Sequence, residues 1–314
     1  MKKILLLVLV IFIVVIISPL IFIPNNIKIT KVGVLAANKR TTYRCLTQND
    51  LMQKYLKSAD KNELSVKDLS FINNKVKFQF KPGVLDVIQV DINQKGEELK
   101  SVIALSEITA DSTAVEWSTN LISSKNPLKR IQQYFHAQKI HESMANILAS
   151  LQEFVIKKEN IYGLSVQRAL VTDTLLVTTK TTTKEYPKKE FYYDLIKKLQ
   201  NYIGDQKAAS VNYPMLNITP LGDNQYAVTV AVPVNKALPD NNSIAFKRMI
   251  PGNILIAEVK GGTLTIENAI INLSNYAADY QLVAPAIPYQ SLITDRLMEP
   301  DSSKWVTKLY FPIY

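Results

Sequence analysis

The stretch Leu199-Gln-Asn-Tyr-Ile-Gly-Asp205 returns as Leu273-Ser-Asn-Tyr-Ala-Ala-Asp279, so one pattern, L-x-N-Y-x-x-D, is written twice. The offset is 74 at both ends of the pattern, the difference between 273 and 199 and between 279 and 205. Each copy lies between segments that read as strands. Each is followed by a Tyr-x-x-Leu segment, at Tyr213 to Leu216 and at Tyr289 to Leu292. Each half then closes on a strand with Pro and a β-branched residue at its end: Gln225 to Val234, with Pro233, and Lys304 to Ile313, with Pro312. A doubled strand–helix–strand–strand unit predicts a pseudo-twofold sheet with a cleft between the halves, and clefts of that kind hold small ligands. The Asn, Tyr and Asp of the pattern read as helix-end and packing positions rather than as the site.

The chain of 314 residues has the length of about two domains. A hydrophobic content of 47% is enough to build cores. One cysteine, Cys45, excludes a disulfide framework, and two histidines, His136 and His141, leave little material for a metal centre or a Ser–His triad. No metal or cofactor is implied. The net charge of +10 is uneven: residues 1–160 carry 22 Lys/Arg against 14 Asp/Glu, and residues 161–314 carry 15 against 13. Attraction to anionic lipid is the simplest use of a basic surplus near the amino terminus. Nucleic acid is the rival partner, but no helix-turn-helix, zinc finger or RNP-like motif is present.

Lys2 and Lys3 precede an uncharged run from Ile4 to Ile23. At about 1.5 Å per residue it spans about 30 Å, one hydrocarbon core. The reading is an uncleaved single-pass anchor over residues 1–24. A cleaved signal peptide is the alternative, but the run exceeds a usual h-region and no small-x-small site follows it closely. Lys2 and Lys3 favour soluble domains outside the cytoplasm; Lys28, Lys31, Lys39 and Arg40 argue the other way.

Residues 27–159 read as a first soluble domain. Ile27 to Ala36 is a strand and Thr41 to Lys57 a helix. Val76, Phe78 and Phe80 alternate with Lys77 and Gln79, and Val115 and Trp117 alternate with Glu116 and Ser118, the period of half-buried strands. Val84 to Ile92 and Leu99 to Leu105 are further strands. A long helix follows Pro127, with Ile140, Met144, Ile147, Leu148, Leu151 and Val155 on one face. On this order, and on Ala114–Asn120 and Ile140–Phe154, the segment resembles the SRPBCC (START-like, polyketide-cyclase-like) helix-grip domain. That resemblance implies a sheet wrapping the last helix around an apolar cavity. His141 and Glu142 read as solvated helix residues, and Cys45 as a small packed one.

Residues 161–314 form the second. Leu170 to Lys184 has strand composition, Pro187 sits at the start of a helix through Tyr202, and Gly261–Gly262 precedes the second helix. There is no G-x-x-x-x-G-K-[ST] and no G-x-G-x-x-G phosphate-binding motif. The run Met249-Ile-Pro-Gly, then Glu258-Val-Lys-Gly-Gly, Pro288-Tyr-Gln-Ser-Leu-Ile-Thr-Asp295 and Lys304-Trp-Val-Thr-Lys-Leu-Tyr-Phe-Pro-Ile313 resembles the GyrI-like (gyrase-inhibitor-like) effector-binding domain over essentially all of this half. The resemblance implies capture of a small, apolar or cationic molecule in the cleft between repeats, or hydrolysis of xenobiotics as in some members. The expected class is therefore α+β: an anchor, a helix-grip domain and a duplicated β-α-β-β domain.

One departure matters. The family pattern runs aromatic, Glu, x, Tyr, Leu, Thr, Asp, Pro. Here it reads Tyr289, Gln290, Ser291, Leu292, Ile293, Thr294, Asp295, Arg296. The family Glu meets a cationic ligand or acts as acid/base; a neutral amide does neither. No catalytic residue is assigned. The expected ligand-binding residues are Tyr289, Gln290, Glu258, Tyr213 and Tyr310, with Glu258 as a substitute carboxylate if it faces the cleft. Trp305 opens the final strand, where packing is its simplest role. The expected function is capture of a small hydrophobic or aromatic molecule at a membrane, for sensing, sequestration or transfer. The rivals are a hydrolase and a protein-interaction module without a small-molecule ligand.

Overall fold

The computed structural model describes residues 18–59, 68–83 and 87–314. The chain divides into two compact units between Ile161 and Tyr162. Both are α+β with an antiparallel sheet. Among the described residues no helix is long and apolar enough to cross a membrane. The expected span lies mostly outside those residues; of it, residues 18–24 are described, and 18–22 are helical.

The first unit runs β1 (Asn26–Leu35), α1 (Lys39–Thr47), α2 (Asn49–Ala59), β2 (Ser70–Asn73), β3 (Val76–Pro82), β4 (Val87–Gln94), β5 (Glu97–Thr109), β6 (Ser112–Ile122) and α3 (Pro127–Val155). The helix expected over Thr41 to Lys57 is two helices, the first ending at Gln48, whose backbone is extended. The sheet order is β1-β6-β5-β4-β3-β2. Alternation decides its faces: in β6, Thr113, Val115, Trp117, Thr119 and Leu121 are buried while the residues between them are not. Phe71, Phe78, Phe80 and Trp117 form one aromatic cluster with centroids 5.6–5.7 Å apart. The Trp117 indole donates to Ser101 Oγ at 3.0 Å, which donates to the Val90 carbonyl, so its polar atom is satisfied inside the core. Helix α3 packs on β1, β3 and β6 and starts at Asn126, whose side chain accepts from the Leu128 and Lys129 amides. His141 and Glu142 are exposed beside an open groove between α3 and β1. Cys45 is fully buried.

After α4 (Lys158–Tyr162), the second unit runs β7 (Gln167–Leu170), β8 (Leu175–Thr183), α5 (Lys189–Asp205), β9 (Met215–Gly222), β10 (Gln225–Pro233), β11 (Ala245–Arg248), β12 (Asn253–Lys260), α6 (Thr263–Asp279), β13 (Tyr289–Leu292) and β14 (Val306–Ile313). Both helices have 17 residues, and their ends keep the offset of 74 (189 to 263, 205 to 279). The sheet order, β11-β8-β10-β9-β13-β14-β12-β7, is palindromic about the β9–β13 pair. There Gln290 stands opposite Leu216, its own counterpart 74 residues earlier. Each half borrows its edge: β7 pairs with β12 and β11 with β8. Helix α5 buries Tyr192, Ile196, Leu199 and Ile203 against β8, β9 and β10, and α6 buries Ile266, Ala269, Leu273 and Ala277 against β12 and β14. A buried Leu or Ile contributes about 1.5–3 kcal/mol, so these stripes hold both helices to one face. The repeated pattern diverges at its end: Asp279 is buried and accepts from Tyr162 Oη at 2.7 Å, while Asp205 is exposed.

Candidate functional site

Period two places neighbouring strand residues on opposite sides of the sheet. Leu216, Leu292 and Leu309 pack under the helices, so Gln290, between Leu216 and Leu309 in register, lies on the helix-covered face. A cavity of about 330 Å3 opens beside it, within the range of about 300–1,000 Å3 for small-molecule sites. Its wall is drawn from both halves. Residues 186–190 and Tyr192 come from the start of α5, and Thr263 and Ile266 from the start of α6. Tyr192 and Ile266 are counterparts in the repeat, again 74 apart. Ile218 of β9 and Gln290 of β13 add the sheet, and Arg296 and Trp305 come from the connection between β13 and β14.

That connection is held in place by its own side chains. Asp295 accepts from the Leu297 and Met298 amides. Thr294 Oγ1 accepts from the Val306 amide at 2.9 Å, and the Trp305 indole donates to the Glu299 carbonyl at 2.9 Å. The Arg296 amide donates to Tyr193 Oη at 2.7 Å, and Lys189 Nζ donates to the Arg296 carbonyl at 2.9 Å. These bonds aim the Arg296 side chain into the unit, where it is 4% exposed.

The guanidinium donates to Thr307 Oγ1 at 2.9 Å, Gln290 Oε1 at 3.2 Å and Tyr192 Oη at 3.2 Å. Its carbon lies 5.0 Å from the Trp305 ring centre and 5.9 Å from that of Tyr192. Nε is buried with no hydrogen-bond partner among the described residues. No ion pair joins Arg296 to a carboxylate among the described residues. A buried charge without its opposite costs on the order of several kcal/mol. Neutral hydrogen bonds and ring faces recover part of that cost but leave the charge unbalanced.

The tyrosines do not balance it either. Burial raises the Tyr192 phenol above its usual value against the opposing pull of Arg296, and burial pushes Tyr193 up to about 12. Burial, with Glu267 next to it, also raises Tyr186. All three stay neutral near pH 7. Glu190 is the acidic member of the lining and is exposed at the rim, whereas Lys188, Lys189 and Arg296 are its cations. The floor of the cavity thus offers hydrogen-bond donors and positive charge. Among the described residues no cluster of three or more His, Cys, Asp or Glu is placed to hold a metal ion.

Gln290 alone of the five expected residues enters this cavity. Tyr289 and Tyr310 stack on the opposite face of the sheet, centroids 5.0 Å apart and rings 10° from parallel. Tyr289 packs there against the cluster of Leu176, Met215 and Ala231. Glu258 is exposed and stands opposite Lys308 in register; its neighbours Ala257 and Val259 face α6, so Glu258 faces away from Gln290 and cannot replace the missing carboxylate there. Tyr213 is exposed in the segment before β9. Trp305, which packing alone would account for in the sequence, forms the cavity wall over Arg296. Arg296 and Tyr192 complete the site. The signal for Arg296 lies in the same segment as Gln290, six residues earlier, where the GyrI-like pattern that the segment resembles has proline.

No family model and no curated protein matches the sequence. Several solved structures are similar in fold at low identity. The EcmrR C-terminal domain is 16% identical over 48% of this chain and 98% of its own, with a TM-score of 0.42. SAV2435 bound to tetraphenylphosphonium is 14% identical over 48% of this chain and 94% of its own, with a TM-score of 0.30. A hydrolase from Listeria innocua is 10% identical over 47% of this chain and 92% of its own, with a TM-score of 0.37. At such identities the chemistry of the site has to be read from the residues of this chain.

Proposed function

We propose that the second unit captures a small molecule with a flat apolar body, non-covalently, in the cavity between its two repeats. The observation that carries this reading is the cavity itself: about 330 Å3, walled by Tyr186, Tyr192 and Trp305, with Gln290 and Arg296 at its floor. Flat aromatic walls offer stacking surface, and a few fixed polar groups orient what enters. The motif resemblance to GyrI-like domains supports the same use of the fold. Residues 4–23 would tether the chain to a membrane with the soluble parts outside the cytoplasm, and residues 27–159 would form a helix-grip domain.

The test is thermal unfolding of the full chain against a panel of two- and three-ring aromatic compounds. A ligand at 100 times its Kd stabilises the folded state by about 2.7 kcal/mol. At least one compound should raise Tm, and Thr263→Phe, which fills the mouth of the cavity from the first turn of α6, should abolish the rise. A panel without any shift would remove the reading. For the tether, the full chain should sediment with membranes and a chain lacking residues 1–24 should not; a soluble full-length chain contradicts it.

A further inference from the structure

We infer that the cavity selects an anion: its ligand carries an oxyanion, a carboxylate or phosphate, seated against Arg296. This rests on the reading of the cavity as a ligand site and goes beyond it in naming the charge. Three features meet in the lining of one cavity. The first is Arg296, which lines the cavity, is nearly buried, and has neither a carboxylate partner nor, at its buried Nε, a hydrogen-bond partner among the described residues. Of the five donors of a guanidinium, three are used, all on neutral oxygens, so the charge is oriented and not neutralised.

The second is the pair of helix starts. Helices α5 and α6 each have 17 residues and begin at the cavity, and neither has a side chain capping its first turn; their cap residues are Lys188 and Gly262. With no cap side chain on its amides, the positive end of each helix dipole favours an anion there. The twofold relation of the repeats brings both to one cleft. The third is the lining charge, Lys188, Lys189 and Arg296 against Glu190. The neutral Tyr192 phenol accepts from Arg296 and keeps its own proton to donate. A cationic ligand would meet the guanidinium, two lysines and two helix starts against the carboxylates of Glu190 at the rim and Glu267 beside Tyr186, a balance that disfavours it.

The experiment is a calorimetric titration of the full chain with four naphthalene probes: 2-naphthoate, 2-naphthyl phosphate, the neutral 2-naphthamide and the cationic 2-naphthylmethylammonium. At least one of the two anions should bind at least tenfold tighter than the amide, and the ammonium most weakly. Which anion binds tighter identifies the oxyanion class. In Arg296→Gln the preference should vanish, and in Arg296→Lys it should persist in weakened form. If Arg296→Gln does not fold, the wild-type ranking is itself the test. Amide or ammonium binding as tight as both anions would overturn the inference and leave the cavity reading standing, as would a preference unchanged in folded Arg296→Gln. Failure of all four probes to bind would remove both.

Discussion

In the first half of the second unit, β9 turns into β10 through Asp223 and Asn224, both at positive φ (48° and 56°), the geometry of a two-residue hairpin. In the second half, β13 reaches β14 through residues 293–305, a connection with a 3-10 turn at Ser302–Lys304. The helices and central strands on either side correspond closely. Leu199 and Leu273 are equally buried counterparts, and Leu216 and Gln290 face each other on the pseudo-twofold axis. The chemistry therefore comes from breaking the symmetry. The duplicated scaffold supplies a cleft and two helix starts, and the long connection brings Arg296 and Trp305 into it from one side only. Gln290 is polar where Leu216 is not because Gln290 has a guanidinium to receive and Leu216 has only the core.

This comparison can be broken at its scaffold or at its asymmetry. The largest effect belongs to the scaffold: Leu199→Ala and Leu273→Ala should each cost about 2–5 kcal/mol in denaturant unfolding, with similar losses for the two. A large loss at one and little at the other would end the equivalence of the halves. Next comes the asymmetry. Gln290→Glu gives Arg296 the carboxylate it lacks, so the ligand-free chain should gain about 1–3 kcal/mol while affinity for 2-naphthoate falls at least tenfold. A gain in anion affinity would contradict the charge argument. Gly222 has φ +87°, next to the hairpin. Gly222→Ala should cost about 1 kcal/mol or more, since a Cβ is strained there, and should leave ligand affinity unchanged. Smallest is Tyr289→Leu, which removes the ring pair with Tyr310 at a cost of about 0.5–1.5 kcal/mol. It should not alter binding, because that pair lies on the other face of the sheet.

The fold was readable where a signal is local or repeated. The constant offset of 74 locates two helices of equal length, and alternation in Val76 to Phe80 and Val115 to Ser118 locates β3 and β6. Strand β2 is four residues at a sheet edge with Ile72 turned outward, too short for a period to show. The strand composition from Leu170 to Lys184 hides a break between β7 and β8, and β7 then pairs with β12, far along the chain. No local pattern encodes such an exchange of edges. At the site, Gln290 was legible as a substitution in a motif. Period two already implies that Tyr289, one residue earlier in the same strand, faces the other way. Arg296 stood in view where the resembled pattern has proline, but its place in the cavity depends on the path of the 293–305 connection. Tertiary bonds from Tyr193 and Lys189 fix that path.

The most direct test follows the side-chain Nε–H of Arg296 by 15N-resolved NMR while the full chain is titrated with 2-naphthoate. The account predicts that this resonance shifts and saturates with the calorimetric binding curve, while the Tyr289 and Tyr310 ring signals stay in place. An unmoved Arg296 with shifts gathered at Tyr289 and Tyr310 would put the ligand on the opposite face of the sheet and contradict it.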